Sequence, residues 1–371
     1  METRGSTEGK LIKKKDIMVV GTGTIGEPLI GLLCDFRDNL GIGDILFHKR
    51  SPLNYERPKV NSLIGRGARL VVDEGDIDKF LGLGQEPSFT MTNALEKADI
   101  VIDCTPAGNE NKKMFYEVLS ENSNKIFIAQ GSEKHFGVPY AHGINDEALS
   151  KLRPNFIQVV SCNTHNVSSL LKTLDPTLEN TLSSDFVCIR RSNDISQEKG
   201  FSPSPTVDAH SDKFYGTHHA QDAVDLLLTV NQARPMPVFS SSMKLNTQYM
   251  HSIRFKIRLK GVYTREVLLR RIHENKFFAT TKKNDAGRVF SFGRDHGYYG
   301  RLLNHGVLVE DTFHTYTPIM SGETYVTGFC FTPQDGNSLL SSVAATMIST
   351  RSEHAYEDAM KSFDDHLFGE I

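Results

Sequence analysis

Short apolar runs and helical spacings alternate along the first 160 residues. Asp16 leads into Ile17 to Val20, four consecutive apolar residues that predict a buried strand. A helical spacing follows through Leu29, Ile30, Leu32 and Leu33. Past the turn-forming Gly41 and Gly43, a second strand is predicted over Asp44 to His48. The runs over 98–103, 125–130 and 156–160 predict three further strands, the first of them a central parallel one. Val167, Leu170, Leu171 and Leu174 then carry a helix. Beyond this point the pattern changes. Residues 182–192 mix apolar and polar positions like a strand, and 192–217 is polar, broken by Pro203 and Pro205, and reads as a long loop. A helical pattern runs through Ala223, Val224, Leu226 and Leu227. His251 to Lys260 alternates strictly, with Ile253, Phe255, Ile257 and Leu259 on one face. His251 shares that parity and should face the covered side. Thr264 caps an amphipathic helix to Ile272, residues 285–335 read as strands and loops, and Ser338 to Met347 reads as an apolar helix.

The expected fold is therefore α/β: a Rossmann-type dinucleotide-binding domain plus an α+β catalytic domain with a mixed or antiparallel sheet. The expected division is a flexible basic tail at 1–14, a dinucleotide-binding domain at 15–161 and a catalytic domain at 162–336, with 337–371 packing back on the first. A chain of 371 residues has ample material for two cores. Apolar residues at 39% exclude a disordered chain. A net charge of -3 gives no electrostatic case for nucleic acid or an anionic membrane, and no apolar run is long enough to span one. The amino terminus lacks the apolar core of a signal peptide. Five irregularly spaced cysteines, with no C-x-x-C pair, point away from disulfides and structural zinc and towards a reducing, cytoplasmic setting.

Candidate chemistry begins at Gly21, Thr22, Gly23, Thr24, Ile25 and Gly26, a G-x-G-x-x-G loop between a strand and a helix. The first glycine permits a tight turn, the second lets backbone approach a pyrophosphate, and the third packs helix against strand. The second strand ends in His48, Lys49, Arg50 and Ser51, with cations where NAD sites place a carboxylate. NADP is thus the preferred cofactor and NAD an accepted one. Thr105 to Gly108 forms a turn at the carboxyl end of another strand, where doubly wound sheets bind ligands.

Ser161 and Cys162 stand between a strand and a helix. The helix dipole and unpaired N–H groups there favour thiolate, can lower the thiol pKa and can stabilise an oxyanion. Thr217, His218 and His219 lie at a loop-to-helix junction, and histidine suits proton abstraction near neutral pH. Cys34 and Cys104 lie in apolar patterns and read as packing residues.

Ser161-Cys162-Asn163-Thr164 resembles the nucleophile motif of archaeal-type glyceraldehyde-3-phosphate dehydrogenases. The Gly21–Gly26 loop, the Asp103–Gly108 turn, Gln130–His135, Arg190-Arg191, His218-His219 and Met250-His251 are similar to family motifs in order. The chain departs from the pattern at His165-Asn166, Ala220-Gln221 and Ile253, and no residue from Thr332 to Gln334 is assigned to the family's carboxyl-terminal Gln. The resemblance implies oxidation of glyceraldehyde 3-phosphate with inorganic phosphate through a Cys162 thioester, and a homotetramer. It implies a substrate site at Ser161, Cys162, Asn163, Thr164, His218 and His219. Cofactor contacts are expected at Gly21, Gly23, Thr24, Ile25, Gly26, Lys49, Arg50, Ser51, Thr105 and Gly108 from the loop and strand-end chemistry, and at Arg190 and Arg191 from the resemblance. The expected catalytic residues are Cys162 and Asn163, with His219 and His251 competing for the base. A semialdehyde dehydrogenase or acyl-phosphate reductase, and a non-catalytic nucleotide-binding protein, are the alternative readings.

Overall fold

The computed structural model describes residues 14–371 except 122, 132, 195, 196, 198, 231–235, 334, 351 and 352, and the side chains of 353–355. The basic tail through residue 13 and Gln334 lie outside the described residues.

Eight parallel strands form the first sheet: β1 (Ile17–Val20), β2 (Ile45–His48), β3 (Arg69–Val72), β4 (Phe89–Thr90), β5 (Ile100–Asp103), β6 (Ile126–Gln130), β7 (Val138–Tyr140) and β8 (Phe156–Val159). Their order is β4-β3-β2-β1-β5-β6-β8-β7. The continuous apolar runs follow from burial of both sheet faces. Ile17, Val19, Ile45 and Phe47 join one apolar cluster, while their neighbours Met18, Val20 and Leu46 join another on the opposite face. Each such side chain, fully buried, contributes about 1.5–3 kcal/mol. The order reverses at β1, which pairs with β2 on one side and β5 on the other. A crevice for ligands opens at the carboxyl ends of strands at such a switch point.

The second sheet is mixed: β9 (Thr181–Arg190), β10 (Thr206–Val207), β11 (Val238–Lys244), β12 (His251–Lys260), β13 (Phe278–Thr281), β14 (Gly306–Val309), β15 (His314–Tyr316) and β16 (Glu323–Thr332). β12 lies antiparallel between β9 and β16, and the alternation read from sequence holds, with Ile253, Phe255, Ile257 and Leu259 all buried. The helix Gly336–Ser349 returns to the first sheet, placing Leu339, Leu340, Val343 and Met347 in the same cluster as β1 and β2.

Residues 285–335 hold more than strands and loops. Ala286–His296 is a helix, capped by Asp285, whose side chain accepts from the Gly287 N–H at 2.7 Å. Gly287 and Gly293 weaken its intrinsic helical signal. Gly293 packs closely, since a Cβ there would meet the Leu302 side chain at 3.2 Å.

Candidate active site

The Gly loop leaves β1 at the switch point. Gly21 has φ +93, a left-handed conformation that glycine adopts without strain. At Gly26 a Cβ would lie 2.0 Å from the Gly21 carbonyl, so this glycine is fixed by contact between the helix Gly26–Asp35 and the loop. A Cβ on Gly23 would meet nothing within 4 Å. The open position is thus the middle glycine, as backbone approach by a pyrophosphate requires. Ile25 gives the helix no side-chain cap, leaving its first turn available to an anion. The neighbouring loop after β5 is organised by buried Asp103. Its carboxylate accepts from Thr105 N–H (2.9 Å), Thr105 Oγ1 (2.6 Å), Asn111 (2.7 Å) and Tyr116 (2.7 Å). The Thr105 methyl would lie 3.1 Å from a Cβ on Gly21, so the two loops share one crevice. Residues and loop geometry fit a dinucleotide.

At the end of β2 the structure changes the expected electrostatics. His48 pairs with Asp73 at 3.1 Å. Lys49 is buried and its amine is held by Glu56 rather than being free, because the turn Asn54–Glu56 folds the carboxylate back over the strand end. A carboxylate seven positions away in sequence therefore occupies the region that reads as purely basic. Arg50 is exposed and Ser51 half-buried. Lys59, which sequence reasoning missed, pairs with Glu56 at 3.0 Å and reaches the Thr22 carbonyl at 3.4 Å.

Cys162 is the first residue of the helix Cys162–Leu174. Ser161 caps it, its Oγ accepting from Thr164 N–H at 3.4 Å and lying 2.9 Å from Thr164 Oγ1. The cap, required by the orphan N–H groups of a helix start, fixes the backbone beside the sulfur. The expectation of a lowered thiol pKa is not met. Burial pushes the thiol up to about 11, against the pull of Arg191 and of the N–H groups of Cys162 and Asn163, while Asp335 adds to the rise. Desolvation outweighs the helix start here.

Arg191, just beyond β9, is buried between Asp194 and Asp335, the latter 3.9 Å away. Arg190 is instead paired with Asp208, on the His219 side of the site. The two arginines thus serve different surroundings. Asp335 precedes the helix Gly336–Ser349 in a left-handed conformation, φ +59, its side chain making no cap hydrogen bond, and burial raises its carboxyl pKa despite Arg191 and Arg301. Arg301 donates to the Thr24 carbonyl at 3.2 Å, joining this cluster to the Gly loop. Asn163 Oδ1, Arg191 Nη1 and Asp335 Oδ2 are buried without a protein hydrogen-bond partner.

His251 Nδ1 accepts from the Arg191 N–H at 3.0 Å, which puts the ring proton of the neutral form on Nε2. Burial holds its pKa well below the ordinary value, with Arg191, His219 and Arg190 adding to the effect. His219 is buried, stacks on His218 with ring centroids 4.0 Å apart, and contacts Thr217 Oγ1 through Nδ1 at 3.2 Å. Burial, His218 and Arg190 lower its pKa to about 3. His218 itself is exposed. Behind the nucleophile, Asn337 Nδ2 donates to the Cys162 carbonyl at 3.2 Å. His165, in place of the family's Thr, sits within hydrogen-bond distance of Ser161 O (3.0 Å) and Ser341 Oγ (2.8 Å). Asn166 donates to Phe331 O (3.2 Å) and Thr332 Oγ1 (2.9 Å).

The structure thus brings Cys162, Asn163, Arg191 and His251 together with Asp335, and places His219 and Arg190 beside His251. Asp335, Asn337, Arg301, Glu56 and Lys59 carried no motif that reveals them. A groove of about 850 Å³ beside Asp146, Arg153 and Tyr356 contains none of the predicted site residues. Among the described residues no helix is long and apolar enough to cross a membrane.

Fold and site define an α/β protein with a Rossmann-type sheet, a mixed second sheet and a cysteine at a helix start between them. No protein-family model matches the chain. Individual relatives do, and they support the resemblance read from the motifs, to archaeal-type glyceraldehyde-3-phosphate dehydrogenases. The glyceraldehyde-3-phosphate dehydrogenase of Sulfolobus acidocaldarius is 25% identical over 308 residues, covering 81% of this chain and 84% of that protein. Glyceraldehyde-3-phosphate dehydrogenase 2 of Methanosarcina acetivorans is 27% identical over 255 residues, 68% of this chain and 70% of that one. The Pyrobaculum islandicum enzyme is 24% identical over 260 residues, 68% of each chain.

Proposed function

We propose that this chain is an oxidoreductase that converts glyceraldehyde 3-phosphate to 1,3-bisphosphoglycerate with inorganic phosphate, using NADP or NAD and a thioester on Cys162. The observation that carries the reading is the set of unpartnered buried groups, Asn163 Oδ1, Arg191 Nη1 and Asp335 Oδ2, around a capped helix-start cysteine. Buried polar atoms without partners call for a ligand, and these flank a nucleophile. The relatives' names supply the substrate.

In this reading the Cys162 sulfur attacks the aldehyde carbon while its thiol proton passes to the carbonyl oxygen, which becomes the hydroxyl of a hemithioacetal. Arg191 stabilises the thiolate and the helix-start N–H groups face the developing oxyanion. His251, with its proton on Nε2, donates to that oxygen. His219, kept neutral at working pH by burial, takes the hydroxyl proton on Nε2 only as the C–H bond breaks, its Nδ1 being oriented by Thr217. The chemistry supplied by a nicotinamide dinucleotide, held by Gly21 to Gly26, Thr105 and Gly108, is hydride acceptance. Oxidation leaves a thioester on Sγ, phosphate attacks its carbonyl carbon, and the C–S bond breaks to return the thiolate.

The test is cofactor reduction with glyceraldehyde 3-phosphate and NADP or NAD, with and without phosphate or arsenate, in wild type and Cys162→Ser. Reduction that needs the anion and vanishes in the variant is expected. Reduction indifferent to both anions would mean that water resolves the thioester. No reduction by a protein that binds dinucleotide would remove the substrate assignment, and turnover of aspartate semialdehyde instead would move it to the carboxylate-bearing class.

A further inference from the structure

The electrostatics at the end of β2 go beyond a basic patch. Lys49 and Lys59 are brought to opposite sides of one carboxylate, Glu56, whose Oε2 holds the Lys49 amine and whose Oε1 lies 3.0 Å from the Lys59 amine. Lys49 is tethered to the strand end, and Lys59 reaches the Gly loop at the Thr22 carbonyl, 3.4 Å away. Lys59 also lies 3.5 Å from Glu27 in the first turn of the helix that follows the loop. The three charged groups therefore span the gap between the carboxyl end of β2 and the Gly loop. In a switch-point sheet the adenosine ribose lies in that gap. Arg50 stands exposed beside it. The site carries three cations, Lys49, Arg50 and Lys59, against the carboxylates Glu27 and Glu56.

We propose that Glu56 is an internal counter-anion that sets the choice between NADP and NAD, its carboxylate occupying the place between Lys49 and Lys59 that a ribose 2′-phosphate takes when it binds. The proposal rests on the dinucleotide reading above. A phosphomonoester and a carboxylate present the same acceptor oxygens to ammonium groups, so one replaces the other without rebuilding the clamp. With NAD, which has only a hydroxyl at that position, Glu56 keeps both lysines neutralised. With NADP the carboxylate swings out to solvent, since its side chain is already 19% exposed, and the phosphate takes both lysines. The two amines hold the Glu56 carboxyl below the ordinary carboxylate range although burial alone would raise it, so the anion is in place at neutral pH. Displacement of this anion lowers NADP affinity below what the cations alone would give, and the chain accepts both cofactors.

The experiment is calorimetric titration of wild type, Glu56→Gln and Lys59→Met with 2′,5′-ADP and 5′-AMP, followed by NADPH and NADH. Glu56→Gln keeps the side chain's shape and removes its charge. It is expected to tighten 2′,5′-ADP and NADPH on the order of tenfold, with 5′-AMP and NADH changed less than twofold. Lys59→Met is expected to weaken the 2′-phosphorylated ligands alone, and a fourth protein carrying both Glu56→Gln and Lys59→Met to lose most of the gain from Glu56→Gln. Equal changes for both ligand classes, or weaker binding of NADH in Glu56→Gln, would overturn the proposal and make Glu56 a ribose ligand or a structural residue. Wild type binding none of the four ligands would instead overturn the cofactor reading, and this proposal with it.

Discussion

Lowering the pH from 7 to 5 should destabilise this protein through His165, by an amount that the structure fixes. The ring is fully buried on the nucleophile helix. Ser161 O can only accept, so Nδ1 carries the proton, and Nε2 accepts from the Ser341 hydroxyl. Burial lowers the pKa from an ordinary 6.5 to about 4. Because the folded value is the lower one, the unfolded chain takes up the proton first as pH falls. Stability is intact above pH 6.5 and is lost progressively between 6.5 and about 4. At pH 5 the unfolded ring is almost fully protonated and the folded one almost fully neutral, which costs about 2 kcal/mol relative to pH 7. Other buried histidines add to the total, so the measurement is a difference. Urea unfolding at pH 7 and pH 5 is compared between wild type and His165→Gln, whose amide can donate and accept but does not titrate. Wild type should lose about 2 kcal/mol more than the variant. Equal losses would refute the argument, showing that His165 is charged in the folded state or exposed to water.

Asp335→Asn removes the carboxylate that raises the Cys162 thiol pKa, so alkylation by iodoacetamide at pH 8 should quicken, while Arg191→Met should slow it; unchanged rates would mean that neither group reaches the sulfur. Gly26→Ala drives a Cβ into the Gly21 carbonyl and should cost about 3 kcal/mol and abolish dinucleotide binding, seen in thermal melts with and without NADP. His305→Leu replaces a fully buried ring whose two nitrogens have no protein partner, between His165 and Phe277. It should raise stability by about 1 kcal/mol, and a loss would point to a bound water on those nitrogens.

The parts of the fold that the sequence discloses are those with strong periodicity. β12 is an example: one covered face imposes strict alternation, and its bounds coincide with the alternating run, His251 to Lys260. The continuous runs of β1, β2, β5, β6 and β8 are legible for the converse reason, burial on both faces. The helix Ala286–His296 is hidden because two glycines dilute its pattern, one of them closely packed against Leu302, a contact that carries no local signal. In the site, Cys162 and the Gly loop stand out because their chemistry depends on local spacing. Asp335 and Arg301 are invisible because their importance comes from a contact between distant segments, Arg301 reaching Thr24 across 277 positions. Lys49 shows the limit most clearly. Its identity is read correctly, but its charge is answered by Glu56 through a turn whose direction the residues alone do not declare. The Cys162 thiol is misjudged in the same way, since a helix start is local and legible whereas burial depends on the whole fold.

The central claim is that Cys162 carries the acyl group. Its most direct test is rapid acid quenching of the enzyme mixed with glyceraldehyde 3-phosphate and NADP in the absence of phosphate, followed by mass analysis of the Cys162 peptide. An acyl adduct on Cys162 that disappears when phosphate is added before the quench is expected. Cofactor reduction with an unmodified Cys162 peptide, or an adduct on another cysteine, would contradict it.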